Sequence, residues 1–114
     1  MHELSVCAAL ADLVTQRAGD RPVTTISLRI GRLRQIVPDT LAFCWRMVIA
    51  ETVLDGSRLE IETVDATVSC ADCGHVSRID PDPPLFVCHG CGGFSLTVLT
   101  GEEFLLLALD LAEI

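Results

Sequence analysis

Two pairs of cysteines are the residues of this sequence best suited to chemistry. Cys70 and Cys73 form one Cys-x-x-Cys pair, Cys88 and Cys91 form the other, and fourteen residues separate the pairs. Zn²⁺ prefers four tetrahedral ligands, and thiolates are typical of zinc sites that stabilise structure. A glycine follows each pair, which lets the chain turn back and point backbone N–H groups at sulfur. The spacing therefore favours a closed structural zinc site over two disulfides or four free thiols.

Two histidines lie close to these cysteines in the sequence. His75 follows Cys73 by two residues, and His89 stands between Cys88 and Cys91. In one interpretation both face solvent or support the thiolates from outside. In the other, one of them replaces a thiolate when the pH changes or nickel is present, because imidazole binds zinc and titrates near neutrality. The sequence leaves both interpretations open.

The first three residues could form a metal site of a different kind. The amine of Met1, a deprotonated backbone amide and the imidazole of His2 can form fused chelate rings, and Glu3 adds an amide and a nearby carboxylate. Such nitrogen donors suit square-planar Ni(II) or Cu(II), and copper would bind more tightly. Because the second residue is large, we expect Met1 to be retained with a free amine. A histidine near a terminus is more often simply solvated, so the tripeptide alone does not decide between a metal site and a solvated chain end.

The apolar patterns of the sequence predict a scaffold of helices and strands. Two segments repeat apolar residues every three to four positions, as amphipathic helices do, and two others alternate, as strands do. The predicted helices cover residues 4–18 and 38–51, and the predicted strands cover residues 23–30 and 59–63. Gly19 is expected to end the first helix, whose apolar stripe comprises Leu4, Cys7, Ala8, Ala11, Val14 and Ala18. The first strand is expected to be half-buried, with one apolar face and one polar face: Ile26, Leu28 and Ile30 on the first, and Thr25, Ser27 and Arg29 on the second. Residues 103–111 alternate in leucine like a strand but have a composition that suits a helix equally well.

The composition restricts the class of protein. The chain has 114 residues and a net charge of −8, which argues against binding to nucleic acid or to an anionic membrane, since both need clustered Lys and Arg. No apolar run approaches the ~18 residues of a membrane span, and no signal-peptide pattern is present. We therefore expect a cytoplasmic protein. Cys7, Cys44 and Trp45 lie on the apolar stripes of the helices and are expected to fill the core.

A series of motifs resembles the HypA/HybF family of hydrogenase maturation factors. The motifs are Met1-His2-Glu3, Ile30-Gly31-Arg32-Leu33, Val37-Pro38-Asp39-Thr40-Leu41 and the two Cys-x-x-Cys pairs, in this order over essentially the whole chain. The resemblance implies a nickel metallochaperone and not an enzyme. Such proteins help to insert Ni(II) into the large subunit of nickel–iron hydrogenases and, in some organisms, into urease. They work with the GTPase HypB.

The resemblance also implies an architecture. The expected fold is α+β, with two helices packed on a small three-stranded sheet and an inserted zinc-ribbon-like module that carries both Cys-x-x-Cys knuckles. The nickel-binding domain would comprise residues 1–66 and 101–114, and the zinc-binding module residues 67–100. Residues 103–111 would then be the strand that completes the sheet. Whether the chain forms a homo-oligomer stays open.

The same resemblance assigns roles to individual residues. His2 matches the nickel ligand of the family, with the Met1 amine and the Glu3 amide as its companions. Cys70, Cys73, Cys88 and Cys91 match the zinc ligands. His75 matches a histidine that follows the first knuckle in some members.

The chain departs from the family pattern at Arg32 and Asp39, where many members have glutamate. Asp39 could approach His2 as a fourth nickel ligand, but a carboxylate at this point also favours the start of a helix, which is the simpler reading.

Two other functions remain open from the sequence alone. One is a zinc-ribbon adaptor that binds protein or nucleic acid, although residues 67–100 contain one arginine and three aspartates, a net of −2. The other is a small metalloenzyme with His2 and Glu3 as acid and base, although a chain terminus is a poor place to preorganise chemistry.

Overall fold

The computed structural model describes residues 3–112, which form two helices, six strands and a short 3-10 turn. The helices are α1 (Glu3–Ala18) and α2 (Pro38–Ile49), and the 3-10 turn is Arg32–Arg34. The strands are β1 (Val23–Gly31), β2 (Arg58–Val64), β3 (Ala66–Cys70), β4 (Val76–Ile79), β5 (Leu96–Thr100) and β6 (Phe104–Leu111). They make two three-stranded sheets, ordered β2-β1-β6 and β4-β3-β5. The predicted α+β class is confirmed.

The chain divides into two compact units. The first unit comprises the described residues up to Arg29, then Ile36–Glu62 and the described residues from Leu105 onward. The second unit comprises Ile30–Gln35 and Thr63–Phe104. The short segment that carries the 3-10 turn therefore groups with the cysteine-bearing strands.

Helix α1 ends where the sequence predicted, at a glycine. Gly19 has a φ of +61°, and its N–H donates to the Thr15 carbonyl at 3.1 Å, which satisfies one of the free carbonyls of the last turn. The predicted apolar stripe is partly wrong. Leu4 is 54% exposed, whereas Leu10, which the stripe left out, is only 2% exposed. The side of α1 that faces the core carries Cys7, Leu10 and Val14, which are all buried and recur at the spacing of a 3.6-residue turn.

Helix α2 begins at Pro38, as predicted, but it ends at Ile49 rather than at Glu51. Pro is well suited to the first turn because the N–H that it lacks would have no helical partner there. At the other end, the N–H and the hydroxyl of Thr52 both donate to the Ile49 carbonyl, at 3.0 Å and 2.6 Å. Glu51 has a φ of +63°, a conformation that cannot continue a right-handed helix.

Strand β1 is the centre of the first sheet. The N–H of Gly31 donates to the Glu103 carbonyl, and the N–H of Ala112 donates to the Pro22 carbonyl, so β1 and β6 run antiparallel. The expectation of a half-exposed β1 is partly wrong, because Thr25, on the predicted polar face, is only 7% exposed. The leucine-rich segment of ambiguous periodicity is a strand.

Trp45 is only 1% exposed, as expected for a core residue, and its Nε1–H donates to the Ser57 hydroxyl at 3.2 Å. The S–H of Cys7 donates to the Leu41 carbonyl at 3.5 Å, and burial, followed by the charges of Cys44 and Glu3, raises the pKa of Cys7 to about 11. Cys7 is therefore a protonated core residue. The other fully buried side chains of this unit are Val14, Ile26, Leu28, Leu41 and Ile49.

The second sheet has a small apolar core of its own. Strand β3 pairs antiparallel with both β4 and β5, and its pairing with β5 is irregular between Thr67 and Val68. Ala66, Val68 and Ile79 are buried together, and Leu33, Leu96 and Val98 pack against them. Leu33 comes from the 3-10 turn, so this turn covers one side of the core of the second unit.

Two glycines allow the 3-10 turn to lie directly against the β5–β6 loop. A Cβ on Gly31 would overlap the carbonyl group of Gly101 and come within 2.5 Å of the Glu102 nitrogen. The backbones are joined here by the N–H of Leu33, which donates to the Gly101 carbonyl at 2.8 Å. Arg32 and Arg78 both pair with Asp65, at 2.7 Å and 3.3 Å. The turn is thus held by backbone bonds and an ion-pair network.

Candidate metal centre

Two loops of matching geometry carry the four paired cysteines. Cys70 is the last residue of β3, and the N–H of Gly74 donates back to its carbonyl at 2.8 Å. In the second loop the N–H of Gly92 donates to the Cys88 carbonyl at 2.9 Å. Gly74 and Gly92 have φ values of +76° and +75°, which side chains strongly disfavour. The glycine after each Cys-x-x-Cys pair thus closes each loop, as the sequence predicted.

The four sulfur atoms lie close enough to share one ion. All of them are within 4.8 Å of one another, with 3.6 Å between Cys70 and Cys91 and 3.5 Å between Cys73 and Cys88. Tetrahedral zinc with Zn–S bonds of about 2.3 Å needs sulfur–sulfur distances of about 3.8 Å. A disulfide needs about 2.05 Å, and all four cysteines are free. The donor set therefore fits a tetrahedral, thiolate-bound metal ion with no open position.

The sulfurs differ in their exposure and acidity. The backbone N–H groups of Cys91 and Gly90 donate to the Cys88 sulfur at 3.4 Å and 3.3 Å, and lower the pKa of Cys88 to about 6 even though burial opposes this. The N–H of Gly93 lowers the pKa of Cys91, but the three neighbouring cysteine side chains together raise it to about 12. Cys88 is the thiol that ionises first, and further thiolates beside it require a cation.

One thiol of each pair is buried and the other faces solvent. Cys70 and Cys88 are 3% and 2% exposed, whereas Cys73 and Cys91 are exposed. Cys70 ends β3, and the residue after Cys88 is bonded to the second sheet by its N–H, which donates to the Ser77 hydroxyl of β4. A bound ion would therefore tie the two loops to this sheet and to each other.

Two further glycines let the two cysteine loops approach each other, and the sequence analysis did not single them out. A Cβ on Gly90 would lie 3.1 Å from Cβ and Cγ of His75 and 3.5 Å from the Cys73 sulfur. A Cβ on Gly93 would lie 3.2 Å from the Cys91 sulfur and 3.4 Å from an Asp72 oxygen. The signal in the sequence was the crowding of glycine around the second pair, which has more glycines than one loop turn needs.

The two histidines near the knuckles occupy different surroundings. The His75 side chain is exposed and lies beside Gly90 of the other loop. The His89 side chain is exposed as well, and its backbone N–H donates to the hydroxyl of Ser77, which is only 2% exposed. Within residues 3–112, the only group of three or more possible ligands within reach of one ion is the four cysteines. Neither histidine is part of that group.

The predicted nickel site lies mostly outside the described part of the chain. Met1 and His2 are not described. Glu3 is the first residue of α1 and is partly buried. Asp39 is exposed in the first turn of α2, whose N-cap residue Val37 makes no side-chain cap. Asp39 therefore holds the favourable position for a helix-starting carboxylate, and its role as a fourth nickel ligand stays a prediction.

None of the helices within residues 3–112 combines the length and the apolar character needed to cross a membrane.

Comparisons with known proteins agree along nearly the whole chain. Residues 1–111 match the family described as "Hydrogenase/urease nickel incorporation, metallochaperone, hypA". The hydrogenase maturation factor HypA of Geotalea uraniireducens is 43% identical over 105 residues, covering 90% of this chain and 92% of that protein. HypA of Roseiflexus sp. is 39% identical over 113 residues, covering 96% and 91%. The solution structure of the Ni metallochaperone HypA from Helicobacter pylori has a TM-score of 0.66 at 24% identity and covers 97% of each chain, a likeness of fold.

Proposed function

This chain belongs to the HypA family of nickel-incorporation metallochaperones, and we propose that it binds Ni(II) and delivers it to the large subunit of a nickel–iron hydrogenase. Ni(II) delivered in the same way could also be inserted into a urease. The observation that carries the proposal is the family match over residues 1–111, which includes the N-terminal tripeptide as well as the four-cysteine cluster. Nickel binding is assigned to residues 1–66 and 101–114, and zinc binding to residues 67–100.

The four-cysteine cluster is proposed to hold structural zinc. Its sulfur spacing matches the tetrahedron that zinc prefers, and its glycines and N–H groups support the thiolates. When bound, zinc would neutralise part of the thiolate charge and crosslink the two loops. With four protein ligands it would have no free position for substrate, so a catalytic role is disfavoured.

Nickel is the cargo and is proposed to bind at the N-terminus. The Met1 amine, the His2 imidazole and the Glu3 amide provide nitrogen donors, which suit square-planar Ni(II). Asp39 is proposed as a candidate for the fourth ligand. His75 and His89 are proposed as accessory groups that could exchange onto the zinc site. Separate nitrogen and sulfur sites would keep the released metal apart from the structural one.

The proposed place of action is the cytoplasm, with the GTPase HypB and the hydrogenase large subunit as partners. The chain contributes metal ligands and surfaces, and GTP hydrolysis would come from the partner. The net charge of −8 fits a carrier of cations better than a binder of nucleic acid or anionic membranes.

The three histidines of the chain allow a matched test of the nickel site. Untagged protein should contain one zinc ion and take up one further nickel ion, with a visible absorption band of square-planar Ni(II). We expect His2→Ala to weaken nickel binding by at least about 100-fold, since even loss of a supporting residue around a metal costs up to about that factor. His75→Ala and His89→Ala serve as controls and should change nickel affinity by less than about threefold.

Blocking the amine tests the same site independently. Acetylation of Met1, or one extra residue before it, should weaken nickel binding as strongly as His2→Ala does while leaving the zinc content at one. Nickel affinity that survives both changes would reject the N-terminal site. A protein that binds zinc but no second ion would be left as a zinc-stabilised adaptor.

A further inference from the structure

We infer that a groove in the first unit docks an acidic, partly apolar segment of a partner protein. The groove has a volume of about 370 Å³ and lies between α2 and the turn that leads into β2. The residues that matter for the argument are Trp45, Arg46, Ile49, Ser57, Arg58 and Leu59. We call it the α2 groove.

The floor of the α2 groove is apolar and rigid. Trp45 and Ile49 are each only 1% exposed, and Ser57 is 4% exposed. The Trp45 indole N–H is already satisfied by the Ser57 hydroxyl at 3.2 Å, so these side chains leave no unpaired polar atom at the bottom of the groove. Such a floor suits an apolar side chain of a ligand.

The walls of the groove carry two arginines, Arg46 and Arg58, and one carboxylate, that of Asp55, which accepts from the Glu51 N–H at 3.3 Å. The charge of the lining is therefore positive in an otherwise acidic protein. All eight cationic side chains of the chain are arginines, and Arg29, Arg32 and Arg78 lie within 3.3 Å of a carboxylate oxygen. Arg46 makes no ion pair within residues 3–112, a property that it shares with Arg17, Arg21 and Arg34, but of these four only Arg46 lines the groove. Arg58 meets Glu60 only at 3.4 Å, with both side chains more than half exposed, so most of its N–H donors remain free for a ligand.

An exposed apolar rim adjoins Arg46. Phe43 and Met47 are 56% and 58% exposed and lie four residues apart, on one side of α2. The Arg46 guanidinium lies over the Phe43 ring, 5.7 Å from its centroid. This places a cation between the groove and an apolar strip, which is the arrangement that an alternating acidic and apolar segment would match.

Charge decides which partner the groove fits. A net charge of −8 repels acidic segments from most of this surface. A carboxylate between Arg46 and Arg58 would meet two fork-shaped donors, while a leucine or phenylalanine beside it would cover the rim or the floor. The inference depends on this groove alone and not on nickel, so it stands or falls separately from the N-terminal site.

The single tryptophan of the chain gives a reporter inside the groove. The full-length, zinc-loaded protein labelled with nitrogen-15 is titrated with the peptide Glu-Asp-Leu-Phe-Asp-Glu, and the Trp45 indole resonance is followed. We expect a saturable shift, and at least about tenfold weaker binding for Arg46→Glu, as loss of a charge-assisted hydrogen bond of about 1.4 kcal/mol would give.

Matched controls separate a specific site from general charge. Arg17→Glu makes the same change in net charge on an exposed position of α1 and should weaken binding by less than about twofold. The peptides Lys-Lys-Leu-Phe-Lys-Lys and Glu-Asp-Ala-Ala-Asp-Glu should bind at least about fivefold more weakly than the acidic apolar one.

Several outcomes would overturn the inference. One is an indole resonance that does not move with the acidic peptide, and another is an equal loss of affinity for Arg17→Glu and Arg46→Glu. Tighter binding of a thymidine oligonucleotide at the same resonance would assign the groove to nucleic acid instead. A peptide-independent shift that grows with protein concentration would assign it to a second copy of the chain.

Discussion

Gly31→Ala tests whether the 3-10 turn is locked against the β5–β6 loop. In the structure a Cβ at position 31 overlaps the carbonyl of Gly101 and lies 2.5 Å from the Glu102 nitrogen. Ordinary contact begins near 3.4 Å, so the two backbones must separate by at least about 1 Å. The Gly31 and Leu33 N–H groups donate across this contact at 2.8 Å each, and a separation of that size removes both hydrogen bonds.

The magnitude follows from these two bonds and the overlap. Each lost hydrogen bond costs about 1 kcal/mol, and more where a buried group is left unpaired. Overpacking adds about 1–3 kcal/mol. The sum is about 4 kcal/mol, a large part of the stability of a domain, which is on the order of 5–15 kcal/mol. With a urea dependence of about 2 kcal/mol per molar, the unfolding midpoint should fall by about 2 M.

The assay is urea unfolding of zinc-loaded protein, followed by far-UV circular dichroism. Gly56→Ala is the matched control, because Gly56 has a φ of +88° but a Cβ there would meet nothing within 4 Å. It should cost only the backbone strain, about 1 kcal/mol, and lower the midpoint by about 0.5 M. Equal midpoints for the two variants would refute the close-approach argument, since the overlap at Gly31 would then have no energetic cost.

Three further predictions concern the metal centre and the core. Cys73→Ala should lose zinc and lower the melting temperature of the second unit, because three thiolates hold the ion less firmly than four. Metal analysis and calorimetry measure the two effects, and an unchanged melting curve would contradict a structural role for the metal. Zinc binding should release about one proton fewer at pH 7 than at pH 5, because the lowered pKa of Cys88, about 6, leaves it ionised before the metal arrives. The stabilisation from this thiolate is complete above the ordinary thiol pKa of 9.0 and is lost as the pH falls through about 6. Calorimetry in buffers of different ionisation enthalpy measures the number of protons released on zinc binding. A Cys88→Ser variant that keeps the pH-dependent step would disprove the assignment of this step to Cys88. Ser57→Ala should lower the free energy of unfolding by about 1–3 kcal/mol because the buried Trp45 N–H loses its acceptor, whereas Ser57→Thr keeps the hydroxyl and should cost less.

The features that the sequence alone determined are local ones. Each cysteine loop depends on residues within a few positions of one another, such as Cys70 and Gly74, so spacing and glycine placement were enough to predict its geometry. The start of α2 at Pro38 and the end of α1 at Gly19 are likewise properties of one or two residues. The resemblance of the motifs to a known family supplied the role that no local pattern could.

The tertiary structure decided whatever depends on residues distant in the sequence. The leucine pattern of β6 is compatible with a helix or a strand, and the pairing with β1 decides for the strand because β1 provides the hydrogen-bonding partner. Gly31 must be glycine only because Gly101 lies against it. Arg46 differs from Arg29, Arg32 and Arg78 because those three lie beside carboxylates, whereas Arg46 lines the α2 groove without one. Periodicity records which face of an element is apolar, but it contains no information on which distant segment covers that face. That choice is made by packing and hydrogen bonding when the chain folds.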